Sequence, residues 1–293
     1  MTNLERQDLD LQQSLSLPRL LFEYGMTAIS IGLTLIALLP LFAVFWQITT
    51  QGLQYLSLEV FVSLPAPVGM EDRPNGFGNA ILGTAMMVGI GASISVPLGV
   101  TTGIFLSEFG RGTSIANGIR FVVKILSSVP SIVVGVFAYA AIVLVTKQFS
   151  ALAGGFALGI IMLPVVTLTT EEALKLVPDS YRLASVGLGE GRLGTTFRAV
   201  VPNALPAIVT GVLLAVARAA GETAPLIFTA LSSQNWPQGI FNPTPSLSVL
   251  IYNYADSPYR EQNALAWTAA FVLLAIVLLI NIISRQVTRK RLK

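Results

Sequence analysis

The sequence predicts an all-α, polytopic membrane protein with six transmembrane helices. Of its 293 residues, 53% are hydrophobic and only 11% are charged, whereas about a quarter of the residues in a typical soluble domain are charged. The mean hydropathy is +0.72. The apolar residues fall in runs of about 20, the length that an α-helix needs to cross the hydrocarbon of a bilayer. These observations exclude a soluble globular protein.

Six apolar segments are long enough to span a membrane, and each of the first five contains proline. Proline kinks a membrane helix without excluding it from a span. We expect one transmembrane domain over residues 25–284, between an N-terminal segment (1–24) and a basic tail (285–293). The N-terminal segment lacks the basic start of a cleaved signal sequence. The predicted spans are about 25–46, 80–106, 121–145, 152–170, 204–231 and 264–284.

The distribution of Lys and Arg predicts the orientation of the chain. Fourteen of the 18 basic residues lie in the two termini and in the loops 107–124 and 171–203, three lie in the loops on the opposite side, and Arg218 lies inside the fifth span. Because basic residues concentrate in cytoplasmic loops, we expect both termini on the cytoplasmic side of an inner or plasma membrane. The same distribution explains the sequence pI of about 9.3 without a nucleic-acid partner.

The chain contains no cysteine and no histidine. It therefore lacks thiol chemistry, the commonest general base and the usual protein ligands of zinc. Since the spans also lack paired acidic residues, the composition disfavours an intramembrane enzyme. We expect no cofactor and no metal in this chain.

The second span carries a stripe of small residues. Gly91, Ser95, Gly99 and Gly103 recur at every fourth position, so they share one face of a helix. Small residues at this spacing let two membrane helices approach closely. The stripe favours helix packing, with the lining of a transport pathway as the alternative.

Two charged residues interrupt the apolar fifth span, within the segment LAVARAAGETAPLIF. Arg218 and Glu222 are four residues apart, which places them on one helix face. Each charge at the centre of a membrane helix costs about 2.5–3.5 kcal/mol, so this face should turn toward the interior of the bundle. A guanidinium can bind an oxyanion through two hydrogen bonds. We interpret Arg218, Glu222 and Thr223 as part of a substrate pathway; a purely structural ion pair is the alternative.

The loop at about 171–203 connects the fourth and fifth spans. It contains a helix-start signature at 178–180 and three glycines between 187 and 191, which are typical of a helix end. A short amphipathic segment follows. The pattern predicts two short helices joined by a glycine bend, which would dock a soluble partner at the membrane surface. We expect Arg192 on the face that does not dock, where substitution should be tolerated.

Several segments carry a family resemblance. The strings GNAILGT, SSVPSIVVG, LPVVTLTTEEALKLVP, ARAAGETAPLIFTA and LSVLIYNYA, between about residues 76 and 255, look like the PstA-type permease subunits of phosphate ABC importers. The loop is similar to the coupling signature of ABC-importer permeases. In that alignment Leu183-Ala184-Ser185 takes the place of the family's glutamate-alanine-alanine triplet, Gly189 that of its glycine, and Val201-Pro202 that of its leucine-proline pair.

The resemblance implies an ABC-importer permease fold and a subunit that forms half of a phosphate pathway. The implied partners are a second permease subunit, a dimer of ATPase subunits that binds ATP, an external phosphate-binding protein, phosphate and membrane lipid. ATP hydrolysis then belongs to the partner, and this chain is not an enzyme. A permease for another oxyanion and an ion-coupled secondary transporter, with Glu222 as proton carrier, are the alternatives. The residues implied in coupling to the ATPase are Ser180, Leu183, Ala184, Ser185, Gly187, Gly189 and Pro202.

Overall fold

The computed structural model describes residues 17–69 and 73–289, with side chains up to residue 286. These residues form helices and no strand, which confirms the predicted fold class. Among them, five helices are long and apolar enough to cross a membrane, and a sixth span results if one bent helix pair is counted as a span. The chain divides into two compact units, residues 1–49 and 50–293.

The described residues form thirteen α-helices, and some of these are extended by π-helical turns. The π-helical segments are Phe105–Phe109, Tyr139–Val143 and Thr195–Val200. In chain order the α-helices are α1 (Leu17–Gln54), α2 (Glu59–Val62), α3 (Gly78–Ile104), α4 (Ser114–Ser128), α5 (Ser131–Ala138), α6 (Leu144–Thr146), α7 (Ala151–Lys175), α8 (Asp179–Gly187), α9 (Arg192–Gly194), α10 (Val201–Ala220), α11 (Ala224–Thr229), α12 (Leu247–Ala255) and α13 (Arg260–Arg289).

The first unit consists, where it is described, of the greater part of α1. This helix has 38 residues, or roughly 57 Å at 1.5 Å per residue, and is longer than the predicted span 25–46. Residues 17–24 of the predicted N-terminal segment are helical, and residues 1–16 lie outside the described part. Pro40 lies inside the helix without ending it.

In the second unit, α3 and α7 make a close backbone contact. All four residues of the small-residue stripe on α3 are buried. A Cβ atom added to Gly91 would lie 2.9 Å from the carbonyl oxygen of Gly155 and 3.0 Å from the backbone nitrogen of Gly159. Since α7 covers this face, the stripe serves helix packing, the first of the two interpretations. Met87, Leu158 and Met162 fill the core beside the contact.

The third predicted span, 121–145, is not one straight helix. Helix α4 ends at Ser128, and the following helix, Ser131–Thr146, is bent from it by 101°. Pro130 has no N–H to donate to the preceding turn, and its ring forces Val129 into an extended conformation (φ −68°, ψ 130°). The sequence predicted a kink in this span, whereas the structure has a break.

The fifth span also differs from the prediction 204–231. The apolar helix already begins at Arg192, runs to Ala220, and breaks at residues 221–223 before α11. Pro225 lies in the first turn of α11, where it cannot donate to the carbonyl of Gly221 and would clash with it in a continuous helix. The break therefore falls directly beside the charged pair.

Helix α12 lies in a loop for which the sequence predicted no helix. The Ser246 hydroxyl caps its first turn by accepting a hydrogen bond from the backbone N–H of Val249. The backbone N–H of Leu247 donates to the Thr84 hydroxyl of α3 at 2.9 Å. These bonds tie the loop to the second span.

Replacing Gly91 with Ala should lower the thermal unfolding temperature of the purified protein. The new Cβ would press on the backbone of α7, and such overpacking costs about 1–3 kcal/mol. Gly89→Ala is the matched control, because a Cβ at Gly89 meets nothing within 4 Å and both variants gain the same helix propensity. Equal unfolding temperatures for the two variants would contradict the α3–α7 contact.

Candidate functional site

The charged pair lies at the break between α10 and α11. Arg218 belongs to the last turn of α10, and Glu222 lies in the break itself. The Arg218 Nε and Glu222 Oε1 atoms are 3.7 Å apart, and the side chains are 57% and 16% exposed. Among the described residues, Glu222 is the one acidic partner of Arg218. The pair is thus loosely joined, and much of the guanidinium is open.

A small cavity adjoins Arg218. Its volume is about 20 Å³, which is room for about one water molecule. The break between α4 and α5 forms one wall through Ser127, Val129 and Ser131, and Pro164 of α7 forms another. The break in the third span therefore lies beside Arg218, which is three residues before the break in the fifth span.

Hydrogen bonds hold the segment that contains Glu222. The Ser248 hydroxyl of α12 donates to the backbone carbonyl of Glu222 at 2.8 Å, which satisfies an acceptor at the break. The carbonyl of Thr223 accepts from the backbone N–H of Leu226 at 3.1 Å. Thr223 therefore anchors the first turn of α11 through its backbone, beside the charged pair.

At the other end of the fifth span, α8 and α9 form the predicted pair of short helices with a glycine bend. Gly189 has a φ of +86°, a conformation that glycine adopts without the cost that other residues incur. The second helix differs from the prediction, because it continues through a π-helical segment into α10. A movement of this helix pair would therefore act directly on the helix that carries Arg218.

The seven predicted coupling residues do not all lie on one surface. Ser185 is buried, and its hydroxyl accepts a hydrogen bond from the Thr195 hydroxyl at 3.0 Å, so it joins the two short helices. Leu183 and Leu188 expose 72% and 87% of their surface and give α8 an apolar outer face. The predicted residues that are exposed are Ser180, Leu183, Ala184, Gly187, Gly189 and Pro202.

A buried carboxylate, Glu108, lies under this loop, and the sequence analysis did not identify it. It follows α3 in the π-helical segment Phe105–Phe109. Arg182 of α8 donates to both of its oxygens, from Nη2 at 2.8 Å and from Nε at 3.3 Å. The hydrogen bond to Glu108 raises the pKa of the Arg182 guanidinium. The sequence offered one signal, an acidic residue at the end of an apolar run.

Arg192, whose substitution we expect to be tolerated, contributes to the same cluster. Its Nη2 donates to the backbone carbonyl of Glu108 at 2.5 Å, and its guanidinium lies 5.2 Å from the centre of the Phe109 ring. A cation at this distance from an aromatic ring is attracted to it. Arg192 thus contacts the end of the second span, and the effect of its substitution stays a prediction.

A second buried carboxylate, Glu171, lies near the end of α7. Its Oε1 accepts from Arg120 Nε of α4 at 2.8 Å and pairs with Lys175 Nζ at 3.0 Å. Arg120 also donates to the carbonyl of Leu106 at 2.9 Å, which joins α4, α7 and the end of the second span. In the part of the chain that the structure describes, no three His, Cys, Asp or Glu side chains are grouped as metal ligands would be.

Comparison with known proteins identifies the class of protein to which this helical bundle and its loop belong. Residues 95–293 match the family "binding-protein-dependent transport system inner membrane component". A chain of an alginate ABC transporter has the same fold, with a TM-score of 0.63 and 15% identity over 91% of this chain and 96% of that one. A chain of the MetNI methionine ABC transporter gives a TM-score of 0.61 and 19% identity over 73% and 95%. The class is the membrane permease of an ABC transporter.

Curated relatives identify the family within that class. Phosphate transport system permease protein PstA of Yersinia pestis is 39% identical over 89% of this chain and 90% of its own length. PstA of Pasteurella multocida is 40% identical over 86% and 91%. A probable PstA of Methanocaldococcus jannaschii is 34% identical over 89% and 92%. The chain belongs to the PstA family of transport permeases.

Proposed function

We propose that the chain is a membrane subunit of an ATP-driven phosphate importer and forms half of its translocation pathway. The observation that carries the proposal is Arg218, a largely open guanidinium inside a span of a PstA-family chain. A phosphate oxyanion matches the planar fork of a guanidinium, which can donate two parallel hydrogen bonds to it.

The loose pair of Arg218 and Glu222 suits transient binding of an anion. At 3.7 Å, the pair lacks the short contact of a strong charge-assisted hydrogen bond, for which about 2.7–2.9 Å is typical. A phosphate ion can therefore compete with Glu222 for the guanidinium without breaking a tight ion pair. Glu222 would then pair with Arg218 again after the anion leaves.

The cytoplasmic helix pair supports the coupling part of the proposal. The exposed apolar side chains Leu183, Val186 and Leu188 form a surface that a partner ATPase would bury. We propose a complex of this chain with a second permease, an ATPase dimer that hydrolyses ATP, and an external protein that delivers phosphate. Closure of the ATPase dimer would move α8. The breaks in the third and fifth spans would then let the helical bundle open the pathway alternately to the outside and to the cytoplasm.

Two other functions remain as outcomes of the same experiments. An importer of another oxyanion would take up sulfate or a different anion, and added phosphate would not inhibit that uptake. An ion-coupled secondary transporter would show uptake that follows an ion gradient in vesicles that lack any ATPase. ATP-dependent uptake of phosphate that other oxyanions do not inhibit supports the proposed function over both alternatives.

Replacing Arg218 with Ala should lower phosphate uptake roughly tenfold to a hundredfold, since hydrogen bonds to charged groups contribute about 1.5–3 kcal/mol. Arg218→Lys should retain part of the uptake because it keeps the charge without the fork, and Glu222→Gln should be milder. Uptake is measured in proteoliposomes of the complete complex, normalised to inserted protein. Arg19→Ala, which removes an arginine outside the site, is the control. Normal uptake by Arg218→Ala would mean that the pair is structural.

Replacing Ala184 with Asp should release the ATPase or abolish phosphate-stimulated ATP hydrolysis. Ala184 is exposed on α8, beside the apolar side chain of Leu183, and burying an unpaired carboxylate in an interface is unfavourable. Ala184→Ser, at the same position without a charge, is the control and should keep both properties. Retention of the ATPase and normal stimulation in the Asp variant would show that α8 is not the docking helix.

We also propose that both termini are cytoplasmic, on the evidence of the Lys and Arg distribution. A reporter fused after Lys293 should behave as cytoplasmic, and one inserted near Asn75 should behave as external. The reverse result at either position would overturn the proposed orientation.

A further inference from the structure

Arg182 lies on α8 but points away from the apolar outer face of that helix. Its side chain is 14% exposed, and that of Glu108 is 7% exposed. Arg182 Nη1 donates to the carbonyl of Val177 at 2.7 Å and Nη2 donates to the carbonyl of Leu174 at 3.0 Å. Leu174 lies in the last turn of α7 and Val177 lies just after the helix, so one guanidinium joins α8 to the ends of two spans.

The geometry of this contact is directional. The two bonds to Glu108 use different nitrogens of the guanidinium, and the remaining nitrogen binds Val177 and the exposed Asp179 carboxylate. Because all three nitrogens of the planar guanidinium donate hydrogen bonds, both its orientation and its position are fixed. A rotation of α8 must therefore move Glu108 and the end of α7 with it, or break several bonds.

Glu108 is itself held from several directions. The Ser107 hydroxyl donates to Oε1 at 3.0 Å, Arg111 lies 3.7 Å from the same oxygen, and Arg192 binds the backbone carbonyl. The segments on both sides of the cluster, Phe105–Phe109 and Thr195–Val200, are π-helical. Such widened turns are rare and occur frequently at functional sites.

We propose that Arg182 and Glu108 form the positioning link that transmits movement of α8 to the membrane ends of the second and fourth spans. Arg182 acts through other groups and touches no substrate. The inference rests on the proposed function, in which an ATPase moves α8. A purely structural ion pair would stabilise the loop and leave the coupling between ATP hydrolysis and transport unchanged, and this difference can be measured.

The test uses the complete complex in proteoliposomes and measures the number of phosphate ions taken up per ATP hydrolysed. Arg182→Gln and Glu108→Gln should each assemble and hydrolyse ATP, while uptake per ATP falls by roughly tenfold, in the range of typical coupling energies. Arg182→Lys should lie between these and the unmodified complex, because lysine keeps the charge but not the fork. The double variant should be no worse than either single variant, since the two changes remove the same link.

Arg198→Gln is the matched control. Arg198 pairs with Glu190 in the same loop at 2.6 Å, but its side chain is 77% exposed, so uptake per ATP should be unchanged. Normal uptake per ATP in both Gln variants would overturn the inference. So would failure of all the single variants of Arg182 and Glu108 to assemble, since that is the result of a structural role. If the unmodified complex takes up no phosphate with ATP, the proposed function itself fails.

Discussion

A backbone that leaves its helix inside a bilayer must find partners for its N–H and C=O groups within the protein, because lipid offers none. Both breaks in the described spans, at Pro130 and at residues 221–223, lie under this constraint. The freed carbonyl of Glu222 accepts from Ser248 of α12, and the wall formed by the α4–α5 break faces Arg218. Both breaks therefore bring polar groups close to the charged side chain of Arg218.

Two kinds of ion pair lie at the site and under the loop that follows the fourth span. Arg182 with Glu108, and Arg120 with Glu171, are short at 2.8 Å and have buried carboxylates. Their short, charge-assisted hydrogen bonds fix the relative orientation of the helices that they join. Arg218 and Glu222 are farther apart, and the arginine is more than half exposed. That pair can open at little cost, which is the property that a transient anion site needs.

Hydropathy predicted the positions of the spans because the membrane imposes a length of about 20 apolar residues. Spacing alone also predicted the packing stripe of the second span and the bend at Gly189, which depend on local geometry, but not that α7 is the partner of the stripe. The 101° break at Pro130 was predicted only as a kink, since its angle is set by tertiary packing. Arg182 and Glu108 are 74 residues apart in the chain, and no local pattern brings them together. The same holds for Arg192, whose partner is a backbone carbonyl.

The site is thus held from both ends of the second unit. At one end, α12 is joined to α3 through Leu247 and Thr84 and to the α10–α11 break through Ser248. At the other end, α8 is joined to the spans through Arg182, and the helix that follows the Gly189 bend runs without interruption into α10. A force on α8 therefore reaches Arg218 along a continuous helix, whereas α12 restrains the far side of the break. The break lies between these two attachments, and the backbone N–H of Glu222 still donates to the carbonyl of Ala219 in α10 at 3.2 Å. The Arg218–Glu222 pair therefore lies between the part of the chain that α8 joins and the part that α12 joins.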